Sequence, residues 1–89
     1  MDFKLKKAET IFDIKIGSIE RGHELVKIAN SYKEDIDVFI DRYVVDAKSI
    51  LGVFSLSWNK PLRISIKTND DTIIARFEQD IKEYMEDIK

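Results

Sequence analysis

The sequence predicts an α+β two-layer sandwich, in which a four-stranded antiparallel sheet carries all its helices on one face in the order β-α-β-β-α-β-α. Three observations predict it. Apolar and polar side chains alternate through Phe12, Ile14 and Ile16, through Ile36, Val38 and Ile40, and through Leu62, Ile64 and Ile66. Leu25, Ile28, Ala29 and Tyr32 repeat at helical spacing, and Ile73, Ile74, Phe77, Ile81, Tyr84, Met85 and Ile88 share one broad helical face. Each element therefore has one apolar side, and a sheet under a helical layer buries all of those sides in one core.

The elements follow in order. Residues 11–16 form a half-buried strand that Gly17-Ser18 breaks. Ser18 is a good N-cap for the first helix, and Glu20 in its first turn suits the positive end of the helix dipole. Val26 widens the apolar stripe. Gly22 inside this helix costs on the order of 1 kcal/mol relative to alanine, which points to a close backbone approach or a frayed first turn. Residues 36–40 and 43–47 form a hairpin about Asp41-Arg42. Residues 49–56 form a short helix, and Ser57-Trp58-Asn59-Lys60-Pro61 is the one loop with marked turn chemistry. A strand over 62–67 and a last helix capped by Asn69-Asp70-Asp71 complete the chain.

Composition bounds the function. Eighty-nine residues make one small domain, spanning 1–89, with enough chain for a single core. Fifteen basic and seventeen acidic residues leave a net charge of −2, so no basic excess steers the molecule to nucleic acid. The absence of cysteine removes disulfides and thiolate metal sites. Lys4, Lys6 and Lys7 precede no apolar run of signal-peptide type, and no segment reaches the roughly 20 apolar residues of a membrane span. A cytoplasmic protein is expected, with no cofactor and no enzyme activity.

Four features are candidates for function. Ser49 opens the short helix and is an N-cap first, worth about 1 kcal/mol; it is also a candidate phosphorylation site. Ile50, Leu51, Val53, Phe54 and Leu56 are too many apolar residues for one face of two turns, so Leu51 and Phe54 are expected to face outward as a docking pair, with Ile50, Val53 and Leu56 inward. Trp58 is expected as a lid over them. His23, the single histidine, reads as an exposed or edge-packed helix residue; alone it makes no metal site. The acidic run Glu78, Asp80, Glu83, Glu86 and Asp87 reads as a solvated face, with Arg76–Asp80 and Glu78–Lys82 as opposite charges four apart.

The run Asp46-Ala47-Lys48-Ser49-Ile50-Leu51-Gly52-Val53-Phe54-Ser55-Leu56 resembles the regulatory-serine segment of the HPr family, the small phosphocarriers of the bacterial sugar phosphotransferase system. Lys-Ser-Ile, a following Gly and a Ser-Leu recur there at this spacing. Leu25-Val26 and Ala29 are similar to the family's first helix, and the likeness runs from about Phe3 to Met85. It implies an HPr-like open-faced two-layer sandwich, protein partners (phosphotransferase-system enzymes, HPr kinase or a transcriptional regulator), partner docking at His23 on the first helix, and Ser49 as the modified serine. Oligomeric state stays open.

The chain departs from the family where the chemistry is done. HPr proteins carry phosphate on the histidine of a Gly-x-His-Ala-Arg-Pro motif capping the first helix. Counted back without gaps, that histidine position falls on Ser18, its arginine on Glu20 and its proline on Arg21, and residues 1–22 contain no histidine. The loop near Ser57 and Pro61 also lacks the glycines common there. A transferable phosphate needs a nucleophile that leaves readily, as imidazole does; a serine ester is too stable, and Glu20 would repel phosphoryl oxygens. The resemblance therefore implies a regulatory or adaptor protein, like the catabolite-repression branch of the family, in which the histidine is also replaced. Two alternatives stay open: a working phosphocarrier with an atypical site, and an α+β module binding RNA or a metabolite, to which Arg63 and Lys67 on the outward side of the last strand would contribute.

Overall fold

Alternation becomes a sheet here because each strand must hide one row of side chains. The computed structural model describes residues 8–86, in the order β1 (Glu9–Ile14), α1 (Ile19–Asn30), β2 (Asp35–Ile40), β3 (Tyr43–Asp46), α2 (Ile50–Phe54), β4 (Leu62–Lys67), α3 (Asp71–Asp80) and α4 (Lys82–Glu86). The strands form one antiparallel sheet in the order β1-β4-β2-β3. Its registers place Phe12 opposite Ile64, Ile64 opposite Val38 and Val38 opposite Val45, so one face is a continuous apolar surface. Leu25, Val26 and Ala29 of α1, Val53 of α2, Phe77 of α3 and Tyr84 of α4 join it in one buried cluster. The other face stays open, with Asp13, Arg63, Asp35 and Val44 exposed on it. The expected α+β two-layer arrangement is what the chain adopts.

Local chemistry sets the boundaries. Asp41 takes φ 54 in the β2–β3 turn, a left-handed conformation that aspartate tolerates better than most residues. Asp70 caps α3 by accepting from the Thr72 and Ile73 amides at 2.9 and 3.4 Å. The first strand ends earlier than the alternation implies. Its pairing stops at Ile14 opposite Leu62, and the Lys15 amide then donates to the Tyr84 carbonyl at 3.0 Å. Ile16 stays fully buried beyond the ladder, which is why the pattern reads through.

The single last helix of the sequence reading is two helices. Ile81 leaves helical geometry at φ −104, ψ 11, so the chain bends between α3 and α4 while Phe77, Ile81 and Tyr84 all remain buried. The element order is therefore β-α-β-β-α-β-α-α. The expected Arg76–Asp80 pair is also remade: the Tyr32 hydroxyl donates to Asp80 Oδ2 at 2.6 Å and accepts from Arg76 Nε at 3.2 Å. Burial, with Asp80 alongside, raises the Tyr32 pKa above the ordinary tyrosine value. Phe3, Lys4, Lys6, Lys7, Asp87 and Ile88 lie outside the described residues.

Candidate functional site

The candidate site is assembled where α1 begins, because four separate chain segments converge there. Gly17 adopts φ +91 and its amide donates to the Trp58 carbonyl at 3.0 Å, tying the loop before α1 to the loop after α2. Ser18 follows as the N-cap: its backbone is extended, and its Oγ accepts from the Arg21 amide at 3.2 Å. Glu20 sits exposed in the first turn. Ser18 thus stands at the mouth of α1, where the sequence places an N-cap.

Arg21 is the residue that sequence reasoning undervalued. Its side chain turns back against the helix, so that Nε donates to the Ile16 carbonyl at 2.6 Å and Nη2 reaches the Glu83 carbonyl at 3.4 Å. The guanidinium lies over the Tyr84 ring at 4.7 Å, and the Tyr84 hydroxyl donates to the Arg21 carbonyl at 2.9 Å. Burial pushes the Tyr84 pKa up. A cation therefore lies near Ser18, engaged with carbonyls and a ring. Glu20, Glu24, Asp80 and Glu83 surround it along a groove of about 190 Å³ between α1 and the last two helices.

The face formed by α1 and α2 carries the other candidates. A Cβ placed on Gly22 would stand 2.5 Å from Cε1 of Phe54, so this glycine marks a close approach and not a frayed turn. Phe54 fills that space, edge-on to His23 at 5.1 Å and to Trp58 at 5.4 Å. This corrects the outward Leu51–Phe54 pair. Phe54 is half-buried against α1 because Gly22 leaves it room, and Ile50, expected inward, is 36% exposed beside Leu51 at 81%. His23 is exposed on the same face, and Ile19, 48% exposed, lies one helical turn before it. Trp58 is half-buried over Phe54, as a lid would be.

Ser49 stands at the other end of this face. Its Oγ accepts from the Gly52 amide at 3.1 Å, and its carbonyl accepts from the Val53 amide at 3.0 Å. The residue before it is well fixed: Lys48 Nζ donates to the Tyr32 carbonyl at 2.7 Å, while Asn30 Nδ2 donates to the Lys48 carbonyl at 3.1 Å. Ser49→Ala is expected to cost about 1 kcal/mol, read as a lower denaturation midpoint with an unchanged urea m-value. A variant as stable as the parent would mean that the cap bond contributes nothing. Among the described residues no group of three histidine, cysteine, aspartate or glutamate side chains could hold a metal ion, and no helix is long and apolar enough to cross a membrane.

No protein-family model matches the chain, and no curated protein sequence does. Solved structures do match. HPr-C-His from Thermoanaerobacter tengcongensis superposes with a TM-score of 0.65 at 22% identity, covering 92% of this chain and 99% of that one. The phosphocarrier protein HPr from Bacillus anthracis str. Ames gives 0.63 at 20%, covering 83% and 98%. A histidine-containing phosphocarrier protein from Mycoplasma gives 0.62 at 23%, covering 90% and 93%. The chain therefore has the open-faced sandwich fold of the HPr phosphocarrier proteins.

Proposed function

We propose that this protein is an HPr-like regulatory or adaptor protein that docks protein partners through the α1–α2 face and does not carry phosphate on histidine. One observation carries the reading. The mouth of α1 is occupied by Ser18, whose oxygen serves as a cap, while the chain's single histidine, His23, stands further along the exposed helix against Phe54. Serine there forms a stable phosphate ester, and the carboxylates about Arg21 oppose the charge that accumulates during phosphoryl transfer. The exposed Ile19, Ile50 and Leu51 supply the apolar contact area of a docking surface. Ser49 is the residue whose phosphorylation regulates it, and the partners are phosphotransferase-system enzymes, an HPr kinase or a transcriptional regulator in the cytoplasm.

Intact mass distinguishes this from a working carrier. Incubation with phosphoenolpyruvate and the system's first enzyme is expected to add no phosphate. Incubation with ATP and HPr kinase is expected to add one, which Ser49→Ala abolishes. Acid-labile phosphate acquired from phosphoenolpyruvate would overturn the regulatory reading in favour of an atypical carrier.

A further inference from the structure

We propose that a groove at one end of the open sheet face binds a small zwitterion with an apolar body, namely a free apolar α-amino acid or a dipeptide with both termini unblocked. The groove has a covalent cause. β2 and β4 pair as far as Phe39 opposite Arg63; beyond that, Ile40 pairs with Tyr43 and Leu62 with Ile14, and Leu62 is preceded by Pro61, which has no N–H to carry the ladder further. The two strand ends part beyond that point, and a cavity of about 540 Å³ opens between the β2–β3 turn and the loop before β4. Its volume lies within the range of small-molecule sites, roughly 300–1,000 Å³.

The lining selects the ligand. Phe39, half-buried on the open face, and Pro61 supply an apolar floor. The rim carries two cations, Lys60 and Arg63, and two carboxylates, Asp13 and Asp41. Arg63 Nε and Asp13 Oδ1 are 3.7 Å apart, and both side chains are mostly exposed, so they are free to turn toward a bound group. An organic anion would meet Lys60 and Arg63 but also Asp13 and Asp41; an organic cation meets the reverse. A ligand with both charges and an apolar side chain matches floor and rim together. Oligonucleotides fit poorly, because Asp13, Asp35 and Asp37 on the same open face repel a phosphate backbone.

The test is a titration of the full-length ¹⁵N-labelled protein with leucine, phenylalanine and leucyl-leucine, followed by amide shifts. Saturable shifts confined to Phe39, Asp41, Lys60 and Arg63 are expected. N-acetyl-leucine and leucinamide, each lacking one charge, should bind roughly two- to fivefold more weakly, and Arg63→Gln and Asp41→Asn should each weaken leucine by a similar factor. The same spectra report whether the variants fold. Shifts that do not saturate, that spread over the surface, or that are equal for the singly charged analogues would overturn the proposal. Neither outcome bears on phosphorylation of Ser49.

Discussion

Phe77→Ala is expected to cost about 3–5 kcal/mol of folding free energy, because Phe77 is the largest fully buried side chain among the described residues. Phe77 is fully buried, tilted against Phe12 at 6.1 Å and edge-on to Tyr32 at 5.3 Å. It therefore joins three segments at once: β1, the turn that follows α1, and α3. Tyr32 is itself fixed by Asp80 and Arg76, whose guanidinium lies 4.6 Å over its ring, so the surrounding side chains have little freedom to collapse into the space left behind. Small domains have total stabilities of about 5–15 kcal/mol, so a substantial share of the margin would go. Thermal unfolding should shift downward by roughly 12 °C or more, at about 4–8 °C per kcal/mol. A shift of only a few degrees would show that the three-segment junction is not packed as described.

Gly22→Val is expected to destabilise by about 1–3 kcal/mol, although valine is the better helix former by a few tenths of a kcal/mol. The new Cβ would stand 2.5 Å from Cε1 of Phe54. That ring packs edge-on to both His23 and Trp58, so relieving the clash disturbs these ring contacts. Trp58 fluorescence should shift along with the loss of stability. The double variant Gly22→Val/Phe54→Ala should cost less than the two single losses added together, because the clash is absent when the ring is. A Gly22→Val protein of parental stability and unchanged emission would contradict the close approach.

The layers of the fold were legible because burial imposes period on sequence. Ile36, Val38, Ile64 and Ile66 alternate since the sheet has one covered face, and Leu25 to Tyr32 stripe α1 for the same reason. The break at Ile81 was not legible. Phe77, Ile81 and Tyr84 keep helical spacing through it, and no glycine or proline marks the bend. Both caps, Ser18 and Ser49, were legible from residue type and position. The direction of Phe54 was not, because it is set by a glycine on another helix; the signal lay in Gly22, whose two readings sequence could not separate. Arg21 was missed for a related reason. Its role depends on Tyr84 and Glu83, more than sixty residues away, and no local pattern reports such a contact.

The clasp between Lys15, Arg21 and Tyr84 has a consequence for the order in which the molecule takes shape. Ser49's cap bond spans three residues, and the contacts around it, with Asn30, Tyr32, α1 and β3, all come from chain that precedes it, so its surroundings need shorter loop closures. The setting of Ser18 is different: its flanking contacts reach the Trp58 carbonyl, the Glu83 carbonyl and the Tyr84 hydroxyl, the last across sixty-three residues. Non-local contacts are slow to close and depend on most of the chain being present. During synthesis from the N-terminus, the environment of Ser49 can form while the helices that complete the mouth of α1 are still being made. The two serines thus differ in the range of the contacts that hold them: those about Ser49 reach back to α1, whereas those about Ser18 are completed only by α4, at the far end of the described chain.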